Sequence, residues 1–123
     1  MVEFEYAYRL PSLANLRLHW RDMAKLKKAQ KRALILAWGA FGLTKPKFPV
    51  KVTFTRVAPS KLDDDNLAIA FKYKRDQLAA LFGLKDDAGP EVQWCYAQTK
   101  NKTPRYYGVR ITIEDVSNAA IDQ

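Results

Sequence analysis

Val2, Phe4, Tyr6 and Tyr8 alternate with Glu3, Glu5 and nearby Arg9, a period of two that predicts a strand with one buried face. Pro11 and Ser12 end it, and Leu13 to Leu18 reads as a loop. From about His19 to Phe41 the apolar positions take a helical period, stopped by Gly42 and then Pro46. At about 100° per residue, Met23, Leu26, Leu34, Ala37 and Phe41 share one stripe, which should face a sheet. Arg21, Lys25, Lys28 and Arg32 occupy the opposite stripe. Val50, Val52 and Phe54 then alternate with Lys51, Thr53 and Thr55, a second strand ending near Val57.

After the turn Ala58-Pro59-Ser60, a second helix is expected to start at Asp63-Asp64-Asp65 and run to Phe82, with Gly83 as its left-handed cap. Leu67, Ala70, Phe71, Leu78, Leu81 and Phe82 mark its core face. Lys74 falls within that arc, and its stem is expected to carry the ammonium outward. Two more alternating runs follow, Val92-Trp94-Tyr96 and Tyr107-Val109-Ile111-Ile113. The connector from Lys100 through Lys102 to Arg105 is basic and suits an exposed hairpin tip. The expected architecture is α/β (α+β): a small mixed four-stranded sheet with two helices on one face, in the order β-α-β-α-β-β. Periodicity leaves the strand order open.

A length of 123 residues fits one domain, 1–123, with a single modest core. Charge changes the picture more. Twenty-one Lys and Arg against thirteen Asp and Glu leave a net charge of +8. Such a surplus concentrates polyanions near the surface, so nucleic acid is the first partner to consider and an anionic membrane the second. The basic helix stripe fits a phosphate backbone or a solvated face equally well. Cys95 is the only cysteine, which rules out an internal disulfide and a thiolate zinc site and fits a reducing, cytoplasmic setting. The acidic, alternating start is not that of a signal peptide, and no apolar run reaches membrane-spanning length. Trp38 and Trp94 fall on core faces; Trp20 beside Arg21, and Tyr106, are the aromatics placed to meet a base. His19 has no acidic or thiol neighbour in sequence to make it a general base.

Most of the chemistry lies between Asp63 and Asp87. Three consecutive aspartates repel one another, and capping a helix needs only one of them. Lys72 and Asp76 return to within roughly 20° of Asp65 on a continuous helix, with Ile69 between them. Their i,i+4 spacing also allows an ordinary surface ion pair. Asp86-Asp87 follows the Gly83 cap. Should the next turn bring Asp87 back to the acidic start, Asp63, Asp65 and Asp87 converge and require a cation between them. Oxygen ligands without histidine or thiol favour Mg2+ or Mn2+. A basic surface around such a site would hold a phosphate backbone while the metal activates water, with Lys72 stabilising developing charge.

Asp63-Asp64-Asp65-Asn66-Leu67, Phe71-Lys72, Asp76 and Gly83-Leu84-Lys85-Asp86-Asp87 together resemble the motifs of the RusA-like Holliday-junction resolvase family. In that family an Asp-x-Asp-Asn-Leu run, a helical lysine with an aspartate four residues on, and a later Asp-Asp pair occur in this order. The run from Leu10 to Asn15 is similar to the Pro-Ser-x-Asn near the family's start. The resemblance implies a homodimeric, Mg2+-dependent endodeoxyribonuclease that cuts branched DNA, typically of phage or prophage origin. By position it implies Asp63, Asp65 and Asp87 as metal-binding catalytic acids, Lys72 as catalytic lysine, and Asp76 and Asp86 as supporting acids. Asn15, Arg21, Lys25, Lys28, Arg32, Lys100, Lys102 and Arg105 are the expected nucleic-acid contacts. One departure is plain: the family lysine sits about one helical turn nearer the second aspartate, where Ile69 stands here.

The expectation is therefore a junction-resolving endonuclease of DNA recombination and repair. A non-catalytic basic nucleic-acid-binding module is the alternative, and a phage structural or accessory protein the third reading.

Overall fold

The computed structural model describes residues 1–11 and 20–116, the side chains of Asp64 and Asp65 excepted. Within it the chain forms β1 (Val2–Ala7), α1 (Trp20–Ala40), β2 (Val50–Ala58), α2 (Asp64–Ala70), α3 (Lys72–Leu81), β3 (Val92–Lys100) and β4 (Gly108–Asp115). The mixed four-stranded sheet is as expected. Among the described residues the helices number three rather than two.

The sheet order is β1-β4-β2-β3. β2 and β3 are parallel, with Val50 opposite Val92 and Ala58 opposite Lys100. β4 is antiparallel to both β2 and β1, so β1, β2 and β3 all run in one direction. The last two strands are therefore not a hairpin. β2 lies between them, and the basic stretch after Lys100 crosses over its end, where the Asn101 amide donates to the Ala58 carbonyl at 2.8 Å. Neither run's periodicity differs from that of a hairpin, since alternation reports faces and not neighbours.

One sheet face presents Phe4, Val52, Phe54, Val92, Val109 and Ile111 to the core, where Leu34 of α1 and Leu67, Phe71, Leu78 and Phe82 meet them. The stripe predicted for α1 is only partly right. Leu34 and Ala37 are buried, Met23 and Leu26 are half-covered, and Phe41 is exposed although its ring tilts against Phe4. Arg21, Lys25, Lys28 and Arg32 are all exposed, as expected. Gly42 and Gly83 end α1 and α3 with φ of 62° and 76°, a conformation that glycine adopts without a Cβ penalty.

The helix expected over Asp63–Phe82 breaks at Phe71, where φ is −91° and ψ is 1°. No poor helix former lies at the break. The Phe71 ring is fully buried, stacked 5.2 Å from Phe54 and 6.1 Å from Tyr96. Packing, not propensity, sets the bend.

Lys74 is a second departure. Instead of snorkelling it is fully buried, between α1 and the aromatic end of β1. Its ammonium lies 3.4 Å from the Gln30 carbonyl oxygen and 3.7 Å from the Tyr8 ring centroid. Burial lowers its pKa to about 7. The fully buried Gln30 amide and the buried Tyr6 hydroxyl have no hydrogen-bond partner among the described residues.

Candidate functional site

The acidic segment enters α2 from a loop held at two points. Gln98 of β3 accepts from the Leu62 amide at 2.9 Å and donates to the Leu62 carbonyl at 2.7 Å. Arg56 of β2 donates to the Ser60 carbonyl. These clamps fix the backbone just before Asp63, which takes the N-cap position of α2 with extended φ and ψ of −63° and 151°. Its carboxylate makes no capping hydrogen bond and is exposed. Capping therefore does not account for Asp63. The side chain of Asp65 lies outside the described residues, but its backbone position is on the α2 face that carries Ala68 and Ile69 one turn later.

That face leads into a depression of about 270 Å³ lined by Ala68, Ile69, Lys72, Arg75, Asp87 and Tyr96. Lys72 opens α3 and is exposed; Asp87 is half-buried. The bend at Phe71 separates this lysine from Asp76, which lines a different hollow of about 300 Å³ with Lys31, Lys85, Asp86 and Asp87. The straight column Asp65-Lys72-Asp76 expected of one helix is thus divided between two hollows that share Asp87.

Asp87 is held from several directions. The Trp94 indole N–H donates to its backbone carbonyl at 2.8 Å, and Arg75 Nη2 does so at 3.3 Å. Arg75 Nε also lies 2.7 Å from Asp87 Oδ2, an ion-pair contact. The same guanidinium donates to the Tyr96 hydroxyl at 2.9 Å and stacks 5.0 Å from the Trp94 ring. Burial opposes the Arg75 charge, but the Tyr96 hydroxyl and the Asp87 carboxylate outweigh it and raise the pKa. Arg75 is the residue that sequence reasoning missed. A basic residue between core positions on a helix carries no periodic signal that its target lies twelve residues away. Asp86 has a simpler role: its Oδ1 accepts from the Ala88 amide at 3.0 Å and stabilises the turn.

Trp94, Tyr96 and Gln98 project from one face of β3 and anchor, in turn, Asp87, Arg75 and Leu62. The anchors of Asp87 and Leu62 are four residues apart, a span of about 13 Å along a strand. Among the described residues no group of three acids comes close enough to hold a metal ion. Of the three acids expected to converge, the Asp65 carboxylate lies outside the described residues. Carboxylate oxygens, where they do bind a metal, favour a hard, hydrated cation. Mg2+ commonly uses one or two carboxylates with waters and substrate phosphate. Asp87, oriented through its backbone, is the carboxylate that lines the depression among the described residues.

The expected nucleic-acid contacts fall on two surfaces. Arg21, Lys25, Lys28 and Arg32 line the outer side of α1; Arg21 lies 5.2 Å from the ring centroid of Trp20, which is 68% exposed. Lys100, Lys102 and Arg105 are exposed on the crossover after β3. Tyr106 is committed to the fold, donating to Glu5 at 2.7 Å. Asn15 lies outside the described residues. No helix among the described residues is long and apolar enough to cross a membrane. No protein-family model and no curated protein matches the chain, so the functional reading rests on these residues.

Proposed function

We propose that this protein is a divalent-metal-dependent endodeoxyribonuclease acting on branched DNA. The observation that carries this reading is the depression where Lys72, Arg75 and Asp87 meet, at the foot of the helix face bearing position 65. The exposed, uncapped carboxylate of Asp63 and the net charge of +8 support it. The resemblance of Asp63–Asp87 to the RusA-like motifs supplies the substrate class and the homodimer, both as parts of the proposal.

Asp65 and Asp87 would hold Mg2+ or Mn2+, with Asp63 at the edge of the set. Bound there, the ion would supply charge neutralisation on a phosphate and a more acidic water. Lys72, exposed at the rim, places a mobile positive charge beside the phosphate oxygens. Arg75 fixes the carboxylate of Asp87 and adds a second cation to the depression. The α1 stripe and the β3–β4 crossover carry the flanking phosphate contacts. Asp76 and Asp86 stand apart from this group, at the neighbouring hollow.

The 2.7 Å contact between Arg75 and Asp87 favours a second reading, a nucleic-acid-binding module whose acids serve structure. A labelled four-way junction incubated with Mg2+ separates the two. Cleavage that Asp65→Asn abolishes, with junction binding retained, supports the endonuclease. Salt-sensitive binding without cleavage in Mg2+ or Mn2+ supports the binding module.

A further inference from the structure

We propose that Ala68 and Ile69 form a sugar subsite in the depression, beside its charged residues, that takes deoxyribose and discriminates against ribose. The proposal rests on the reading above for the polymer and adds to it a basis for choosing DNA over RNA.

The lining of the depression is divided by element. Lys72 and Arg75 of α3, with Asp87 of the following loop, supply charge; Ala68 and Ile69, in the last turn of α2, supply only hydrocarbon. An exposed aliphatic side chain is ordinary on a protein surface. Ile69 differs in its setting. Of the large apolar side chains on α2 and α3 it alone is exposed, at 44%, and it lines a concavity that also holds three charged groups. The pair is fixed in place. Leu67 and Ala70 on either side of it are buried, as is Phe71, which stacks 5.2 Å from Phe54 and 6.1 Å from Tyr96. Tyr96 lines the same depression and joins the two sets of residues: its ring stacks 6.2 Å from Phe54, and its hydroxyl accepts from Arg75 at 2.9 Å.

A polynucleotide repeats phosphate, sugar, phosphate. With a phosphate held by Lys72 and Arg75, the next group along the strand is a sugar, and the remaining hydrocarbon lining is Ala68 and Ile69. Deoxyribose presents C2′ as a methylene, which gains by leaving water for such a wall. Ribose presents a hydroxyl, whose hydrogen bonds to water are lost against hydrocarbon. The 2′-hydroxyl is the group by which a site tells RNA from DNA. An apolar wall rejects an added hydroxyl by up to about 100-fold.

The test uses four-way DNA junctions that each carry one ribonucleotide, stepped through the positions around the branch point. Anisotropy in Ca2+ reads binding without cutting, and single-turnover cleavage in Mg2+ reads the rate. At one position ribose should weaken binding several-fold and slow cleavage roughly 10- to 100-fold. A 2′-fluoro sugar there, which favours the ribose pucker without an O–H donor, should be tolerated. Ile69→Asn offers the hydroxyl a partner and should bring the deoxyribose-to-ribose ratio near one; Ala68→Ser should lower it in part. Leu36→Asn, at an exposed apolar position of α1 outside the depression, should keep the wild-type ratio. Should Ile69→Asn fail to fold, Ala68→Ser decides alone.

A wild type with no ribose penalty at any position, or a penalty unchanged in both wall variants, overturns the subsite. An equal penalty from 2′-fluoro would assign the effect to sugar pucker. A loss on abasic substitution that Ile69→Asn removes, in place of a ribose penalty, would assign the wall to a base. Either result overturns the sugar assignment. A wild type that never cuts in Mg2+ but shows the expected binding ratios retains the subsite and loses the nuclease. A wild type that cuts, and treats ribose and deoxyribose alike, retains the nuclease and loses the subsite.

Discussion

The ammonium of Lys74 sits 3.7 Å from the centre of the Tyr8 ring, in a part of the core where no carboxylate among the described residues pairs with it. Tyr6 adds a second ring at 5.3 Å. Cation–π attraction and the Gln30 carbonyl recover only part of the hydration lost on burial. The lowering of its pKa to about 7 expresses that cost.

Stability should therefore rise with pH above neutrality. Below about 7 both folded and unfolded chains carry the Lys74 proton, and the full cost is present. Between about 7 and the ordinary lysine value the unfolded chain binds more protons, so folding becomes more favourable as pH rises. The whole span is of order 5 kcal/mol at most. Burial raises the pKa of Tyr6 and of Tyr8, so neither opposes the trend before strongly alkaline pH. Urea denaturation from about pH 6 to 9 should show the rise in the wild type and a flat profile in Lys74→Met. A rise of equal size in Lys74→Met would assign it to other groups.

The metal-site residues should separate chemistry from binding. Asp65→Asn and Asp87→Asn are expected to lower junction cleavage by at least about 100-fold while leaving junction affinity within a few-fold. Single-turnover cleavage and anisotropy measure the two quantities. Full cutting by the Asp63→Asn, Asp65→Asn double variant excludes the mechanism.

Arg75 and Asp87 should contribute unequally to stability. Asp87→Asn removes a partly exposed ion pair, whose worth after screening is below about 1 kcal/mol. Its backbone carbonyl keeps the Trp94 and Arg75 donors. Arg75→Met also deprives the Tyr96 hydroxyl and that carbonyl of a donor, and should cost about 1–3 kcal/mol. Chemical denaturation of both variants and the double variant gives the coupling directly. Equal costs would mean that the ion pair is the whole of the Arg75 contribution.

Gln98 offers a test of how the acidic segment is positioned. Gln98→Leu leaves the Leu62 amide and carbonyl without their partner and should cost roughly 1–3 kcal/mol. Gln98→Glu keeps the acceptor for the Leu62 amide but loses the donor to its carbonyl. Cleavage should fall in the order wild type, Gln98→Glu, Gln98→Leu, with junction affinity nearly constant. A uniform loss of affinity in both variants would point to a direct DNA contact instead.

The sequence by itself determined the four strands and the places where the helices stop. Alternation marked all four strands, because side chains on a strand must choose between core and water at every second residue. Gly42 and Gly83 marked where helices end, because a left-handed turn favours a residue without Cβ. The grouping of Asp63 to Asp87 and the exposed basic stripe of α1 were legible for the same local reasons. What only the tertiary structure decided is how these pieces meet. Periodicity is indifferent to which strand lies next to which, so the placing of β2 between β3 and β4 depended on packing across the whole sheet. The bend at Phe71 follows from its stack on Phe54 and Tyr96, residues distant in the chain. The burial of Lys74, the Arg75 hold on Asp87 and the Gln98 hold on Leu62 arise likewise from contacts made only after folding. Local patterns record the preference of each residue for core or water. Partners are chosen by the free energy of the assembled core, which no short stretch of chain contains.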